Sequence, residues 1–246
     1  MIKRYKSLDS TNTKLMELVR ETTDYEALYG TAIIADTQTA GRGRHGRSFF
    51  SPPGCGVYVS VFLPSNPLMT VLAGLIVCEA IEELCGKAPK VKWVNDVFLN
   101  GKKICGILAE GVMKNGCLKG MVVGIGINLI ECPVPDGLEG VIGAVYGMGE
   151  KPAITTVRLA EEVLRRLSDH RYDQKEIIAK YKSRLFILGK TVRVEKPEGS
   201  YEAIALDIDE MGHLIVEDSA GEVKVLTAGE VSIRPTGLTH SSGYGE

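Results

Sequence analysis

Gly41-Arg42-Gly43-Arg44-His45-Gly46-Arg47 is the stretch on which the reading of this chain turns. Three glycines alternate with cationic residues. Strand-like runs stand on either side: Thr-Ala-Ile-Ile-Ala at 31–35 and Gly-Val-Tyr-Val-Ser-Val-Phe-Leu at 56–63. Glycine tolerates positive φ, so such a loop can curl and turn several N–H groups inward. The arginines add planar, permanently charged forks that match carboxylate and phosphate oxygens. The pattern predicts a loop, carried by a sheet, that closes over a small anionic ligand and reopens.

Composition limits what that ligand is. At 246 residues, with 44% hydrophobic and 24% charged, the chain can fill one core and a small second domain, and wholesale disorder is excluded. Lys+Arg number 29 against 31 Asp+Glu, so the positive excess of a nucleic-acid grip is missing and the anion site must be local. No apolar core follows Met1-Ile2-Lys3-Arg4-Tyr5-Lys6, so no secretory leader is expected, and the apolar run 71–78 is too short to cross a bilayer. Six scattered cysteines without a C-x-x-C pair read as reduced core thiols, which points to the cytoplasm. The four histidines stand isolated, and neither a metal cage nor a nucleophilic triad is visible.

Periodicity predicts an α+β architecture: a mixed or antiparallel sheet flanked by helices. A polar entry followed by a helix is expected over 7–20, and further helices over 70–85, 155–168 and 174–185, that over 70–85 apolar almost all round and hence buried. Strands are expected over 31–35, 56–63, 91–94, 97–99, 103–112 and 121–129, with Asn100-Gly101 and Asn115-Gly116 as hairpin turns. Five short strands follow over 191–194, 201–207, 213–217, 223–226 and 231–233, which suggests a small barrel. The chain thus divides into 1–188, 189–235 and a polar tail over 236–246.

Four segments hold polar groups at element ends. Ser10-Thr11-Asn12 reads as a helix cap, or as hydroxyl and amide groups bracketing a polar, uncharged ring system. Gln38 and the glycine loop precede Phe49 and Phe50, which serve as stacking surfaces or core. Lys92-Trp93-Val94-Asn95-Asp96 is a core tryptophan and a turn, or part of a site. Strand alternation sends Lys102 and Lys103 to opposite faces, so one can meet a buried anion. Gly124 and Gly126 share a face, which makes either a flat wall for a ligand or relief for close packing.

Taken in order, Asp9-Ser10-Thr11-Asn12, Gln38-Thr39-Ala40-Gly41-Arg42-Gly43-Arg44, Lys92-Trp93-x-Asn95-Asp96, Lys103-x-x-Gly106-Ile107-Leu108 and Gly124-x-Gly126-Ile127-Asn128 resemble the biotin–protein ligase family. The resemblance runs on through Gly229-Glu230-Val231-Ser232 to about residue 235. It implies a biotin/lipoate ligase-like catalytic domain with a small C-terminal SH3-like β-barrel. The implied activity is ATP-dependent ligation of biotin, through biotinyl-5′-AMP, to one lysine of a biotin carboxyl carrier domain of acetyl-CoA carboxylase, with Mg²⁺ on the triphosphate. It also implies roles. Lys103 and Arg44 would be catalytic, contacting the biotin carboxylate and the phosphate. Ser10, Thr11, Asn12, Gln38, Gly41, Arg42, Gly43, Gly106, Gly124 and Gly126 would join those two in the biotin pocket. Arg44, Arg47, Phe49, Asn95, Asp96, Asn128 and Arg234 would bind ATP.

Two positions depart from the family pattern, which commonly has proline at Val94 and tryptophan at Phe49. Ser10-Thr11-Asn12 comes so early that no winged helix-turn-helix is expected, hence no operator binding. No membrane partner is expected, and monomer and homodimer both stay open. Lipoate–protein ligase shares the implied chemistry, but its R-R-x-S-G-G-G-A-V-Y run is missing. A nonenzymatic RNA-binding module would need a basic stripe with exposed aromatics, and a scaffold that binds biotin without turnover would not keep Lys103 and Arg44.

Overall fold

Alternation within Gly-Val-Tyr-Val-Ser-Val-Phe-Leu sets the layering. Val57, Val59 and Val61 face one way and Tyr58, Ser60 and Phe62 the other, and all are buried, so this strand needs cover on both sides. The computed structural model of the chain describes residues 1–196, 199–227 and, by backbone alone, 232–235. It contains strands β1 (Ile2–Tyr5), β2 (Ala32–Ala35), β3 (Gly56–Leu63), β4 (Lys90–Lys92), β5 (Asp96–Leu99), β6 (Lys102–Lys114) and β7 (Cys117–Asn128). These form one sheet in the order β1-β2-β3-β7-β6-β5-β4, parallel between β1 and β2 and antiparallel elsewhere, as the expected mixed sheet requires.

Helix α1 (Thr11–Arg20) covers one face, where Leu15, Met16 and Val19 pack on Ile33, Phe62 and Val122. Helices α2 (Met69–Cys85), α3 (Thr156–Asp169) and α4 (Gln174–Arg184) cover the other face, with α2 buried between the sheet and its two companions. Ser10, Thr155 and Asp173 cap α1, α3 and α4, each accepting a backbone N–H three residues on. The predicted turns close with Asn100 and Gly101 at φ of 50° and 78° and Asn115 and Gly116 at 51° and 76°.

Four expectations are corrected. β1 was not expected; it is an edge strand with half its residues exposed, so its apolar signal is faint. The strand expected over 91–94 stops at Lys92, because Trp93 drops into the core and Asn95 turns the chain. β7 begins at Cys117 rather than 121, since its first turns are exposed and carry no apolar run. Only Cys78 and Cys105 are buried thiols, and Cys117 is exposed. Burial pushes the Cys78 thiol up to about 12, which makes it inert at neutral pH.

Strands β8 (Thr191–Lys196), β9 (Gly199–Ile208), β10 (Leu214–Asp218), β11 (Val223–Leu226) and β12 (Ser232–Pro235) form the small antiparallel sheet of the expected C-terminal domain, ordered β11-β10-β9-β8-β12. Its buried Val192, Val194, Ala205, Leu214 and Val216 are continuous with the main core. Trp93 Nε1 donates to the Gly212 carbonyl at 2.7 Å and stitches the two sheets. Pro197-Glu198, Gly229-Glu230-Val231, the tail 236–246 and the Arg234 side chain lie outside the described residues.

Helix α3 is locked to α2 by charge. Glu162, with 3% of its side chain exposed, accepts from Arg165 at 2.6 Å and Arg166 at 2.7 Å, and Arg166 also reaches Glu79 and Glu83 of α2. The hydrogen bond from Arg165, against the opposing effect of burial and helped by Arg166, holds the Glu162 carboxyl at about 2. A carboxyl depressed from 4.5 in the unfolded chain to about 2 contributes stability above pH 4.5 and loses it as pH falls towards 2. Glu162→Gln should cost on the order of 2 kcal/mol at pH 7. The gap between variant and wild type in denaturant unfolding should close as pH falls towards 2; a gap of constant size would refute this.

Candidate active site

Cross-strand pairing lays the site out in rows on the α1 face of the sheet. Phe62 pairs with Val122 and Val122 with Glu110; Ser60 pairs with Gly124 and Gly124 with Leu108; Tyr58 pairs with Gly126 and Gly126 with Gly106. Paired residues point to the same side. Phe62 and Val122 lie under the apolar stripe of α1. One row further, the side chains shrink to serine and glycine, which leaves room for the polar start of the helix.

There Thr11 donates from its backbone N–H (2.8 Å) and hydroxyl (3.1 Å) to Gln38 Oε1. Ser60 Oγ lies 2.7 Å from Thr11 Oγ1 and 2.5 Å from Asn12 Oδ1. Asn12 Nδ2 donates to the Leu108 carbonyl at 3.2 Å and to Glu110 Oε2 at 2.9 Å. Gln38 Nε2 donates to Ser51 Oγ, which donates in turn to the Phe49 carbonyl. Ser10 caps the helix, as the cap reading expects, while Thr11 and Asn12 enter this network.

The cationic end depends on a register shift. Val97 pairs with Cys105 but Phe98 with Lys103, so Ile104 is an extra residue in β6. Lys103 and Gly106 are three apart and would face opposite ways in a regular strand; the bulge brings them to one face. Lys103 Nζ then sits 2.7 Å from Asp96 Oδ1. Lys102 turns instead towards Gly143, where a Cβ would fall 2.6 Å from its own.

The glycine loop is a small hairpin, in which Phe49 N donates to the Gly41 carbonyl and Gly43 N to the Arg47 carbonyl. Of its three glycines only Gly46 uses positive φ (75°), beside His45 at 55°. Gly41 is needed for space, since a Cβ there would fall 2.4 Å from the Phe49 carbonyl oxygen. Arg44 Nη1 donates to Asn95 Oδ1 at 3.1 Å. Burial lowers the Arg44 pKa, Asp96 counteracts this, and Arg47 adds to the lowering. Guanidinium stays charged regardless.

Lys103, Arg44, Asn95 and Asp96 are thus brought together, and so are Thr11, Asn12 and Gln38. Arg42 leaves the loop to meet Glu110, and Arg47 is exposed. The expected bare glycine wall is covered: a Cβ on Gly126 would fall 2.4 Å from the Phe49 ring, one on Gly106 would fall 3.0 Å from it, and one on Gly124 would fall 2.1 Å from Asn12 Oδ1. Asn128 bonds to neither cation, although Gly143, its partner, donates its backbone N–H to the Lys103 carbonyl. It donates to the Gly143 carbonyl and lines a cavity of about 330 Å³ with Tyr58, Phe50, Lys102 and Ile142, which neither Lys103 nor Arg44 reaches. Sequence reasoning passed over Ser51, Tyr58, Ser60 and Glu110. The polar members of 56–63 were visible as Tyr58 and Ser60, two apart in an apolar run. Among the described residues, no three His, Cys, Asp or Glu side chains converge as a metal site.

Gly124→Ala should force Asn12 aside and cost about 1–3 kcal/mol, the usual range for overpacking. In denaturant unfolding, Asn12→Ala combined with it should cost less than the sum of the two single changes. Strict additivity would rule out the contact.

Residues 5–128 match the biotin/lipoate A/B protein ligase family, and residues 187–234 match the biotin protein ligase C terminal domain. The chain is similar to the bifunctional ligase/repressor BirA of Bacillus subtilis, at 33% identity over 235 residues covering 90% of this chain and 70% of that protein. It is similar also to the biotin–[acetyl-CoA-carboxylase] ligase of Mycobacterium tuberculosis, at 31% over 235 residues, 90% of this chain and 85% of that one. In structure it resembles the biotin protein ligase from Aquifex aeolicus in complex with biotin and ATP, with a TM-score of 0.80 and 29% identity over 96% of this chain and 99% of that one. Two matched segments in sequence order, and relatives aligned through both sheets, lead to one assignment: the chain is a ligase that belongs to the biotin/lipoate A/B protein ligase family and carries the C-terminal domain of the biotin protein ligases.

Proposed function

We propose that this protein joins biotin to a lysine of a biotin carboxyl carrier domain in two steps. A biotin carboxylate oxygen attacks the α-phosphorus of ATP, pyrophosphate leaves, and biotinyl-5′-AMP is held in the site. The carrier lysine amine then attacks the anhydride carbonyl, an amide forms, AMP departs, and the amine proton goes to solvent. The observation that carries this reading is the convergence of Lys103 and the half-buried Arg44 on Asn95 and Asp96, beside an uncharged hydrogen-bonding pocket. Two anions must meet in the first step, and cations already oriented by fixed partners stabilise that encounter without reorganisation.

In this reading Ser10, Thr11, Asn12 and Gln38 bracket the uncharged ring of biotin, while Gly41, Arg42 and Gly43 close over it. Phe49 leaves the wall of Gly106 and Gly126 as ligand enters and, with Arg47, Asn95, Asp96 and Asn128, meets the nucleotide; the cavity beside Asn128 is large enough for a purine. Arg234 has the same proposed role on resemblance alone. Mg²⁺ would come with the triphosphate, whose oxygens suit it, since Asp96 is already paired with Lys103. The named substrates of the M. tuberculosis and A. aeolicus proteins support biotin, ATP and an acetyl-CoA carboxylase carrier here. The near-neutral charge balance supports a protein acceptor over DNA. Cytoplasmic location, the division at 188/189, and action as a monomer or homodimer belong to the same proposal. No described helix is long and apolar enough to cross a membrane.

Pyrophosphate release with ATP, Mg²⁺ and either biotin or lipoate is the test. Release should depend on biotin, and label should move to a carrier lysine; dependence on lipoate, or on neither acid, would refute the reading. Lys103→Ala should lower the rate of adenylate formation by about a hundredfold, the scale for one electrostatic donor. Arg44→Gly should hasten loss of the adenylate more than it slows its formation. A variant that held the intermediate as long as wild type would contradict the retaining role of the loop.

A further inference from the structure

Glu110 stands at the end of the site opposite Lys103 and Asp96, and nothing in the family motifs singled it out. It follows Leu108 by one row on the same face of β6. Its Oε1 accepts from Arg42 Nη2 at 2.7 Å and its Oε2 from Arg42 Nη1 at 3.1 Å, a two-pronged guanidinium–carboxylate pair. The same Oε2 accepts from Asn12 Nδ2 at 2.9 Å. One carboxylate therefore grips the glycine hairpin from above and the buried start of α1 from the side.

We propose that Glu110 is a positioning residue that latches the Arg42 arm of the hairpin to the sheet and sets the orientation of the Asn12 amide. The proposal rests on the biotin ligase reading for its effect on turnover, but the latch itself does not. A carboxylate can only accept, so it holds Asn12 Nδ2 towards β6 and leaves Asn12 Oδ1 turned to Ser60. An exposed ion pair would contribute little. The Arg42 side chain is 45% exposed, but that of Glu110 is 25% exposed, the pair is bidentate, and the third donor belongs to a residue only 3% exposed. Arg42 in turn is held at a defined place above the pocket rather than swinging in solvent, which lowers the entropy lost when the hairpin closes on a ligand.

Other anchors of the hairpin include backbone hydrogen bonds within itself, Ser51 Oγ on the Phe49 carbonyl, the Phe49 ring against Gly106 and Gly126, and the Arg44–Asn95 contact. Removing the latch should therefore loosen the Arg42 side and spare the chemistry. That predicts a split between binding and turnover, which general loss of fold would not produce.

Glu110→Gln keeps size and removes the charge. In hydrogen exchange without substrate, amides of 41–48 should exchange about threefold faster or more than in wild type. In pyrophosphate release, the KM for biotin should rise about tenfold while kcat changes less than about twofold, and the adenylate should be lost about tenfold faster. The paired change Arg42→Glu with Glu110→Arg should restore slow exchange, which neither single change does. An unchanged thermal midpoint for Glu110→Gln separates these effects from unfolding. Wild-type exchange and wild-type KM in Glu110→Gln would overturn the proposal, as would equal falls in kcat and kcat/KM. If wild type released no pyrophosphate with biotin, the functional reading would fall, and the exchange of 41–48 would still decide for or against the latch.

Discussion

One extra residue in a strand decides which way the site's cation faces. Because Ile104 has no partner across β5, Lys103 comes round to the face that carries Gly106 and Gly126, and its ammonium meets Asp96. Without that bulge the same lysine would point into the layer of α2, where even after relaxation an unpaired charge would cost on the order of several kcal/mol in lost hydration. Ile104 and Cys105 are consecutive and both buried, which is what a bulge inside a two-sided sheet requires. The Lys103–Asp96 pair follows from this single irregularity.

Around it the polar groups form two hydrogen-bonded runs. Asn95 links Arg44 to Asp96, and Asp96 links to Lys103; on the other side Gln38, Thr11, Ser60, Asn12 and Glu110 run in sequence to Arg42. Both chains end on the glycine hairpin, whose opposite sides are thus coupled to opposite ends of the pocket. Such a system is stable only when every buried member has a partner, and then it orients its groups well. Arg44 illustrates the balance: burial works against its charge, and the nearby Asp96 offsets part of that effect.

The hydrophobic layers give this polar system its rigidity. β3 is buried along its whole length, α1 covers one side of it, and α2 with its neighbours covers the other. Trp93 shows how far the two parts of the molecule depend on each other. It lies next to the Asn95–Asp96 pair in sequence, yet its ring fills the core and its N–H holds the β9–β10 connection at Gly212. The C-terminal sheet therefore braces the turn that presents the site.

The linear chain alone was enough for the layers and most elements. Period-two and period-3.6 patterns, Asn-Gly turns and capping residues act over a few neighbours, and they led to the mixed sheet, the four helices and the small β-domain. The spaced motifs also named Lys103, Arg44, Asn95 and Asp96, four groups that the fold brings together. What folding alone decided are strand register and the contacts it creates: the bulge at Ile104, the Glu110 pairing with Arg42 and Asn12, the Phe49 ring on Gly126, and the placing of Asn128 at the cavity beside Gly143. The Glu110 contacts join residues 68 and 98 positions apart, whereas the bulge is a matter of register within the β5–β6 hairpin. No local preference encodes such contacts, because the energy that selects them exists only once the sheet has brought their rows together.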